Sequence, residues 1–218
     1  MGISNRRLVV FDWDGTLCNS LLGITSTARE VLLGFGLAEE ELGDLTRLVG
    51  PSFPEAYSMV YGLSAADAAE VTRRYRERYE SGDVSMWPIF EGVAGLLAHL
   101  RAAGKLVAIA SSKRHPLVMR QITDNGIVDA FDAICGKMSD GGDTKEAAIV
   151  RAIEQLDCSL DDAVMVGDRN LDVFAAADVG IPCVGVLWGN TAPRAELEDA
   201  GAAAIAETID ELERILCD

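Results

Sequence analysis

Six short apolar runs punctuate the chain, and most of them end near a polar residue. LVVFDWD (8–14), KLVAIAS (105–111), DAVMVGD (162–168) and PCVGVLW (182–188) are near-continuous hydrophobic stretches of strand length, joined by shorter runs at 131–135 and 203–206. Between them, apolar residues recur every three or four positions over 91–103, 116–125, 145–156, 170–178 and 207–216, the period of an amphipathic helix. Strands that are apolar throughout, alternating with helices, predict a parallel sheet covered on both faces. Residues 19–88 break the alternation. ITSTAREVLLGFG, AEEELGDLTRLVG and SAADAAEVTRRYRERYESG carry a helical pattern only. The prediction is an α/β fold: a parallel-sheet core from residues 1–17 and 89–218, with helices on both faces, and an inserted all-α cap domain, 18–88.

Length and composition agree with one sizeable domain and an insert: 218 residues, 49% of them hydrophobic. The net charge of -16 changes the picture more. Such a surface repels phosphate backbones and argues against a nucleic-acid partner. The charge is spread along the chain and reads as a solvated surface. Five cysteines (18, 135, 158, 183, 217) are odd in number and never in CxxC spacing. They predict free thiols in a reducing compartment, with no disulfide frame and no zinc site. No run is apolar enough to span a membrane, and MGISNRRLVVF lacks a signal-peptide core. A cytoplasmic monomer or homodimer is the expectation.

The candidate chemistry lies at the ends of the apolar runs. In a strand, residues i and i+2 point the same way, so Asp12 and Asp14 are expected to face one side and Trp13 the other. Open parallel sheets bind ligands beyond the carboxyl ends of their strands. Asp12, Ser111 and Asp168 fall at such ends. Asp12, Asp14, Asp168 and Asp172 then converge, and like charges that close need positive charge between them. An all-oxygen donor set suits Mg²⁺. Lys145 opens a helix after the glycine-rich DGGDT and reaches toward the same crevice. Gly15 allows a tight turn, and Thr16 brings a hydroxyl that can orient a carboxylate. Each residue alone has a plainer reading. Asp168 fits a helix N-cap, Asp172 a first-turn acid, Ser111 a turn hydroxyl and Lys145 a solvated helix lysine. Their common address at the carboxyl edge is what argues for a site.

Four segments carry a family resemblance. DWDGTL (12–17), Ser111 in VAIASSK, Lys145 after DGGDT and GDRNLD (167–172) stand in the order and spacing of a haloacid dehalogenase superfamily phosphatase, in the phosphoglycolate phosphatase-like and nucleotidase-like group with a helical cap. The resemblance spans essentially the whole chain and implies a Rossmann-like core. It implies Asp12 as nucleophile, attacking phosphorus to give an aspartyl-phosphate, and Asp14 as general acid and base. It implies Mg²⁺ at Asp12, Asp168 and the Asp14 backbone carbonyl, with Asp172 holding Lys145 or a metal-bound water. Ser111, Ser112 and Lys145 would hold the phosphate. The implied substrate is a small phosphorylated metabolite of the phosphoglycolate or nucleoside monophosphate type. One departure is Asn19-Ser20, where many relatives have Asp-Ser.

Other chemistries fit less well. A haloacid dehalogenase does not need Asp14. A phosphonoacetaldehyde hydrolase needs a cap lysine, and residues 18–88 contain none. A non-catalytic phosphate-binding regulatory module is expected to have lost Asp12 or Asp14. A phosphomutase of the β-phosphoglucomutase type uses the same core and is the nearest alternative. With two histidines, His99 on an apolar helix and His115, a Ser-His-Asp or zinc hydrolase has little to build on. Trp13 reads as core and Trp188 as either packing or an edge of the site, while Lys113 and Arg169 near the mouth are weaker candidates that also read as plain surface charges. In the cap, the VGPSF loop (49–53) with Arg47 and Ser52 is expected to read the leaving group, ahead of the cluster Arg73, Arg74, Arg76 and Arg78, which is expected mostly to face solvent or nearby glutamates.

Overall fold

The computed structural model describes residues 2–140 and 142–218; Gly141, in the glycine-rich DGGDT segment, lies outside the described residues. Six strands form one parallel sheet: β1 (Leu8–Phe11), β2 (Leu106–Arg114), β3 (Ala133–Lys137), β4 (Ala163–Gly167), β5 (Cys183–Val186) and β6 (Ala204–Ala206). Their order is β3-β2-β1-β4-β5-β6, with every neighbour parallel. This is a Rossmann-like α/β core. The order reverses beside β1, so a crevice opens at the carboxyl ends of β1 and β4, where such sheets bind ligands.

Alternate residues of β1 feed two cores. Val9 and Phe11 pack with α4 (Val93–Ala102), α5 (His115–Asp124) and α9 (Ile209–Cys217) on one face. Leu8 and Val10 pack with α6 (Lys145–Gln155), α7 (Asn170–Val179) and α8 (Arg194–Ala200) on the other. The short α8 was not expected from periodicity; only Leu197 in it is buried, so it shows no apolar stripe.

Between β1 and α4 the chain runs through α1 (Leu21–Phe35), α2 (Glu55–Tyr61) and α3 (Ala65–Glu80). AEEELGDLTRLVG does not form the expected helix. It makes two short 3-10 turns, Glu39–Glu41 and Leu45–Leu48, separated at Gly43, whose φ of +55 suits glycine. Helix α2 starts at Glu55, after the VGPSF loop. The segments that lead into and out of this region pair with each other: Asn19 N donates to Pro88 O at 2.7 Å, and Phe90 N to Leu17 O at 3.0 Å. The helices share one apolar cluster with the sheet through Trp13, Leu17, Tyr79 and Trp87. An aromatic series lies within it, Phe53–Tyr57 at 4.7 Å, Phe53–Tyr75 at 4.9 Å and Tyr75–Tyr79 at 5.3 Å between ring centres.

Gln121 of α5 ties the sheet to this cluster. It is fully buried. Its Oε1 accepts from Trp13 Nε1 at 2.8 Å and from Lys113 Nζ at 3.0 Å. Replacing it by Ala leaves the buried Trp13 Nε1 without an acceptor, which costs about 1–3 kcal/mol, while Lys113 keeps Asp14. Gln121→Ala is therefore expected to lower unfolding stability by at least that amount in a urea titration; an unchanged midpoint contradicts the role.

Candidate active site

β1 ends one residue before the carboxylates. Phe11 is its last member, and Asp12 N still donates to Val166 O at 2.9 Å, but residues 13–18 leave the sheet in a tight turn. The expected strand 8–14 is thus too long, and i, i+2 alternation is not what aims Asp12 and Asp14. The turn does. Gly15 stands at φ +78, and a Cβ there would lie 2.2 Å from Asp168 Oδ2. Only glycine lets the turn approach Asp168 this closely.

Asp12, Asp168 and Asp172 are buried and offer oxygens all within 4.8 Å of one another. Asp168 follows β4; its Oδ1 accepts from Thr16 Oγ1 at 2.7 Å and its Oδ2 from Thr191 Oγ1. Asp172 sits in the first turn of α7, where its Oδ2 accepts from Arg169 N at 2.9 Å. Lys145 opens α6, a helix capped by Thr144. Its ammonium meets Asp12 Oδ2 at 2.8 Å and also Asp172 Oδ1. Burial pulls that ammonium down, but Asp12 and Asp172 more than offset this and hold it above the ordinary lysine range. Burial pushes Asp12 up to about 6, against the pull of Lys145. Asp168 is pushed up to about 8, by burial first and then by Asp172 and Asp12. Asp12 Oδ1 is buried and has no hydrogen-bond partner. One lysine among three carboxylates leaves negative charge uncompensated, and a hard divalent cation fits this donor set.

Asp14 belongs to a second, adjoining group. Its Oδ1 accepts from Lys113 Nζ at 2.6 Å and from Ser20 Oγ at 2.5 Å. Lys113 is therefore no surface charge: its side chain is 10% exposed. It lies 5.2 Å from the centre of the Tyr79 ring. A bulge brings it there. Ala110 pairs with Cys135, but Arg114 pairs with Lys137, so residues 111–113 of β2 bow out of register. Bulges beside sites re-aim side chains in this way. The same bow carries Ser111, which is 2% exposed, and Ser112 to the crevice wall. Burial alone would lower the Lys113 ammonium, yet Asp14 beside it holds it above its ordinary value.

The crevice has two connected parts. The inner one, about 80 Å³, is bounded by Asp12, Asp14, Ser111 and Lys113 and roofed by Leu48, Phe53, Tyr75 and Tyr79. The outer mouth, about 640 Å³, is edged by Arg47, Ser52, Lys145 and Arg169. Ser52 reaches both, while Arg47 is exposed and reaches the mouth alone. Arg169 differs from the surface-charge reading: its side chain is 13% exposed, pairs with Glu196 at 2.8 Å and donates to Val49 O of the VGPSF loop. Among the cap arginines, Arg73 and Arg74 pair with Glu70, and Arg78 with Glu30. Arg76 instead crosses to Asp140 of the core at 2.7 Å. Trp188 donates to Thr16 O at 2.8 Å and steadies the turn. His99 is exposed, beside Glu213 at 3.1 Å. Ser20, Gln121 and Thr191 were missed by sequence reasoning and Lys113 was ranked low; nothing in their spacing marks them, because each reaches the site from a separate element.

Fold and site define the class, an α/β protein with a carboxylate-lysine centre at the carboxyl edge of its parallel sheet. A family profile for haloacid dehalogenase-like hydrolases matches residues 9–186. A predicted phosphatase from Clostridium acetobutylicum superposes with a TM-score of 0.90 at 32% identity, covering 97% of this chain and 98% of that one. A 5'-nucleotidase of Pseudomonas aeruginosa is 32% identical over 83% of this chain and 82% of its own. A protein named tyrosine-protein kinase PtkA, from Mycobacterium tuberculosis, is 39% identical over 96% of this chain and 72% of its own. The chain belongs to the haloacid dehalogenase-like hydrolases and is an enzyme of their phosphatase group.

The turn at Gly15 supplies a test of the geometry. Gly15→Ala must displace Asp168, and displacements of about 1 Å at such centres cost ~10² in rate. Turnover of a phosphomonoester is expected to fall by about that factor with the circular dichroism spectrum retained. Wild-type turnover by this variant contradicts the close-approach role.

Proposed function

We propose that this enzyme hydrolyses small phosphomonoesters through a phosphorylated Asp12. The observation that carries the reading is the pairing of one partnerless carboxylate oxygen, Asp12 Oδ1, with a carboxylate held for proton transfer two residues on. Asp12 Oδ1 attacks phosphorus, and the bond to the leaving oxygen breaks. That oxygen takes a proton from Asp14. Water then attacks the acyl phosphate while Asp14 takes its proton back, and inorganic phosphate leaves with Asp12 regenerated. Lys113 and Ser20 fix Asp14 Oδ1, which leaves Oδ2 toward the crevice for the proton. Lys145 holds Asp12 Oδ2 and offsets the charge of the phosphoryl oxygens. Ser111 and Ser112 donate to those oxygens. Asp12, Asp168 and the Asp14 main chain would hold Mg²⁺, with Asp172 behind Lys145. The ion would supply charge for the transferring phosphoryl group. Residues 18–88 act as the cap over the core of 1–17 and 89–218, and Arg47 and Ser52 meet the leaving group at the mouth.

The Clostridium and Pseudomonas relatives support hydrolysis. The mycobacterial kinase name belongs to that protein, and an assay separates the two. Release of phosphate from p-nitrophenyl phosphate is expected to require Mg²⁺ and to stop with EDTA. Asp12→Asn is expected to abolish it, and Asp14→Asn to cost about 10²–10⁴ in rate for an alkyl phosphate. Transfer from ATP to a tyrosine peptide, with no phosphate release from any monoester, replaces this reading.

Lys113 gives a finer check. Without it Asp14 loses one of its two anchors. Lys113→Met is expected to lower kcat at least about ten-fold for an alkyl phosphate, within the general-acid contribution. The loss for p-nitrophenyl phosphate should be smaller, since that leaving group needs no proton. Equal losses on both substrates count against an orienting role for Lys113.

A further inference from the structure

We propose that Lys137 binds a second negative charge on the substrate, so that the enzyme selects phosphomonoesters whose leaving group carries a carboxylate or another phosphate. The inference rests on the phosphomonoesterase reading and names the substrate class of the same site. Lys137 is the last residue of β3, at the carboxyl edge of the sheet. It is 6% exposed, yet it bounds both the inner cavity and the outer mouth. Among the described residues it has no side-chain hydrogen bond and no ion pair, whereas every other buried lysine or arginine of the crevice is engaged. Lys113 is held by Asp14, Lys145 by Asp12 and Asp172, Arg76 by Asp140 and Arg169 by Glu196. Arg47 and Arg114 are exposed at the rim, where water serves them.

The nearest acids do not take Lys137 up. Asp140 and Asp143 feel its charge, but both are committed to arginines, Asp140 to Arg76 at 2.7 Å and Asp143 to Arg151 at 2.7 Å. The buried side-chain atoms without a partner do not include Lys137 Nζ, so the residue is covered while its ammonium opens on the crevice. The cation is therefore matched to something that enters. The phosphoryl group already has Lys145, Ser111 and Ser112. Lys137 stands in the wall between this position and the mouth, beside Ser52 and Ser112, which bound the same two spaces. A leaving group that carries its own anion a few bonds from the phosphoryl group meets Lys137 there. A nucleoside offers only a neutral sugar and base.

The test compares phosphoglycolate with 2-hydroxyethyl phosphate, which differ in a carboxylate against a hydroxymethyl, and adds ethane-1,2-diyl bisphosphate to separate carboxylate from phosphate. A charge-assisted hydrogen bond is worth about 1.5–3 kcal/mol, so the wild type is expected to favour an anionic ester over the neutral one by ~10- to 10²-fold in kcat/KM. In Lys137→Met and in Lys137→Gln that ratio is expected to fall to about one, and in Lys137→Arg to recover in part. Thermal unfolding of each variant shows that it is folded. Calorimetry on Asp12→Asn measures the same preference as affinity, without turnover. Equal affinity of Asp12→Asn for the charged and neutral esters overturns the proposal, as does a wild-type ratio that survives in both neutral variants. Equal loss of all esters in those variants assigns Lys137 to the phosphoryl group and overturns it too. Absence of p-nitrophenyl phosphate hydrolysis by the wild type sinks the hydrolase reading instead, and the calorimetry still decides for Lys137.

Discussion

Four carboxylates in one buried crevice are the constraint around which this molecule is arranged. Asp12, Asp14, Asp168 and Asp172 would repel one another and resist ionisation unless each were given a partner. The fold supplies partners from distant parts of the chain. Lys145 comes from the start of α6, Lys113 from the bulge in β2, Thr16 from the turn after β1 and Thr191 from the segment after β5. Parallel strands make this convergence feasible, because all of them end at the same edge. The partners are still too few for the group of three around Lys145. Asp168 stays pushed up to about 8, and Asp12 keeps one oxygen unbonded. That residual deficit is the physical content of the site: the proposed cation would relieve it, and the proposed nucleophile is the oxygen it leaves unbonded.

The helical insert is tied to the core by contacts of two kinds. Its aromatic residues continue the apolar cluster of the sheet, which fixes it without directional preference. Two arginines add direction. Arg169 reaches from the core to the main chain at Val49, and Arg76 reaches from α3 to Asp140. Arg169 is mostly buried and its reach to Val49 is a hydrogen bond to a carbonyl, whereas the Arg76–Asp140 pair is partly exposed and contributes little to stability. Contacts of that kind set the position of a lid more than they hold it shut.

Much of this was legible in the sequence, and the reasons for the remainder are specific. The six strands and the five core helices flanking them follow from apolar period. Asp12, Ser111, Lys145, Asp168 and Asp172 were found because each sits at the end of an apolar run or the start of a helix, positions that topology alone brings together. Lys113 was ranked low because regular alternation along β2 gives no warning of a bulge, and the bulge is what turns it inward. Ser20 and Thr191 were missed because short polar residues outside regular elements have no periodicity to betray them. Arg169 was ranked low because its partner, the carbonyl of Val49, leaves no trace in side-chain chemistry. Helix α8 escaped because one buried leucine does not make a stripe.

Relatives of this frame carry the names of a nucleotidase and of a kinase, and the core explains why the frame alone does not separate them. Hydrolysis and transfer from a phosphorylated aspartate differ only in the oxygen that attacks second, water or a hydroxyl, and the same neighbouring carboxylate serves either. The walls must make the difference. The inner cavity, about 80 Å³, is bounded by Asp12, Asp14, Ser111 and Lys113. Its roof of Leu48, Phe53, Tyr75 and Tyr79 is packed into the common apolar cluster, so enlarging it means moving several buried rings together. A leaving group or acceptor beside the phosphorus would meet that roof or extend toward the mouth. Ser52, Ser112 and Lys137 bound both spaces, so a larger group would pass them on its way to the outer mouth. Those walls, rather than the carboxylates themselves, are where a choice between water and a hydroxyl acceptor would be built.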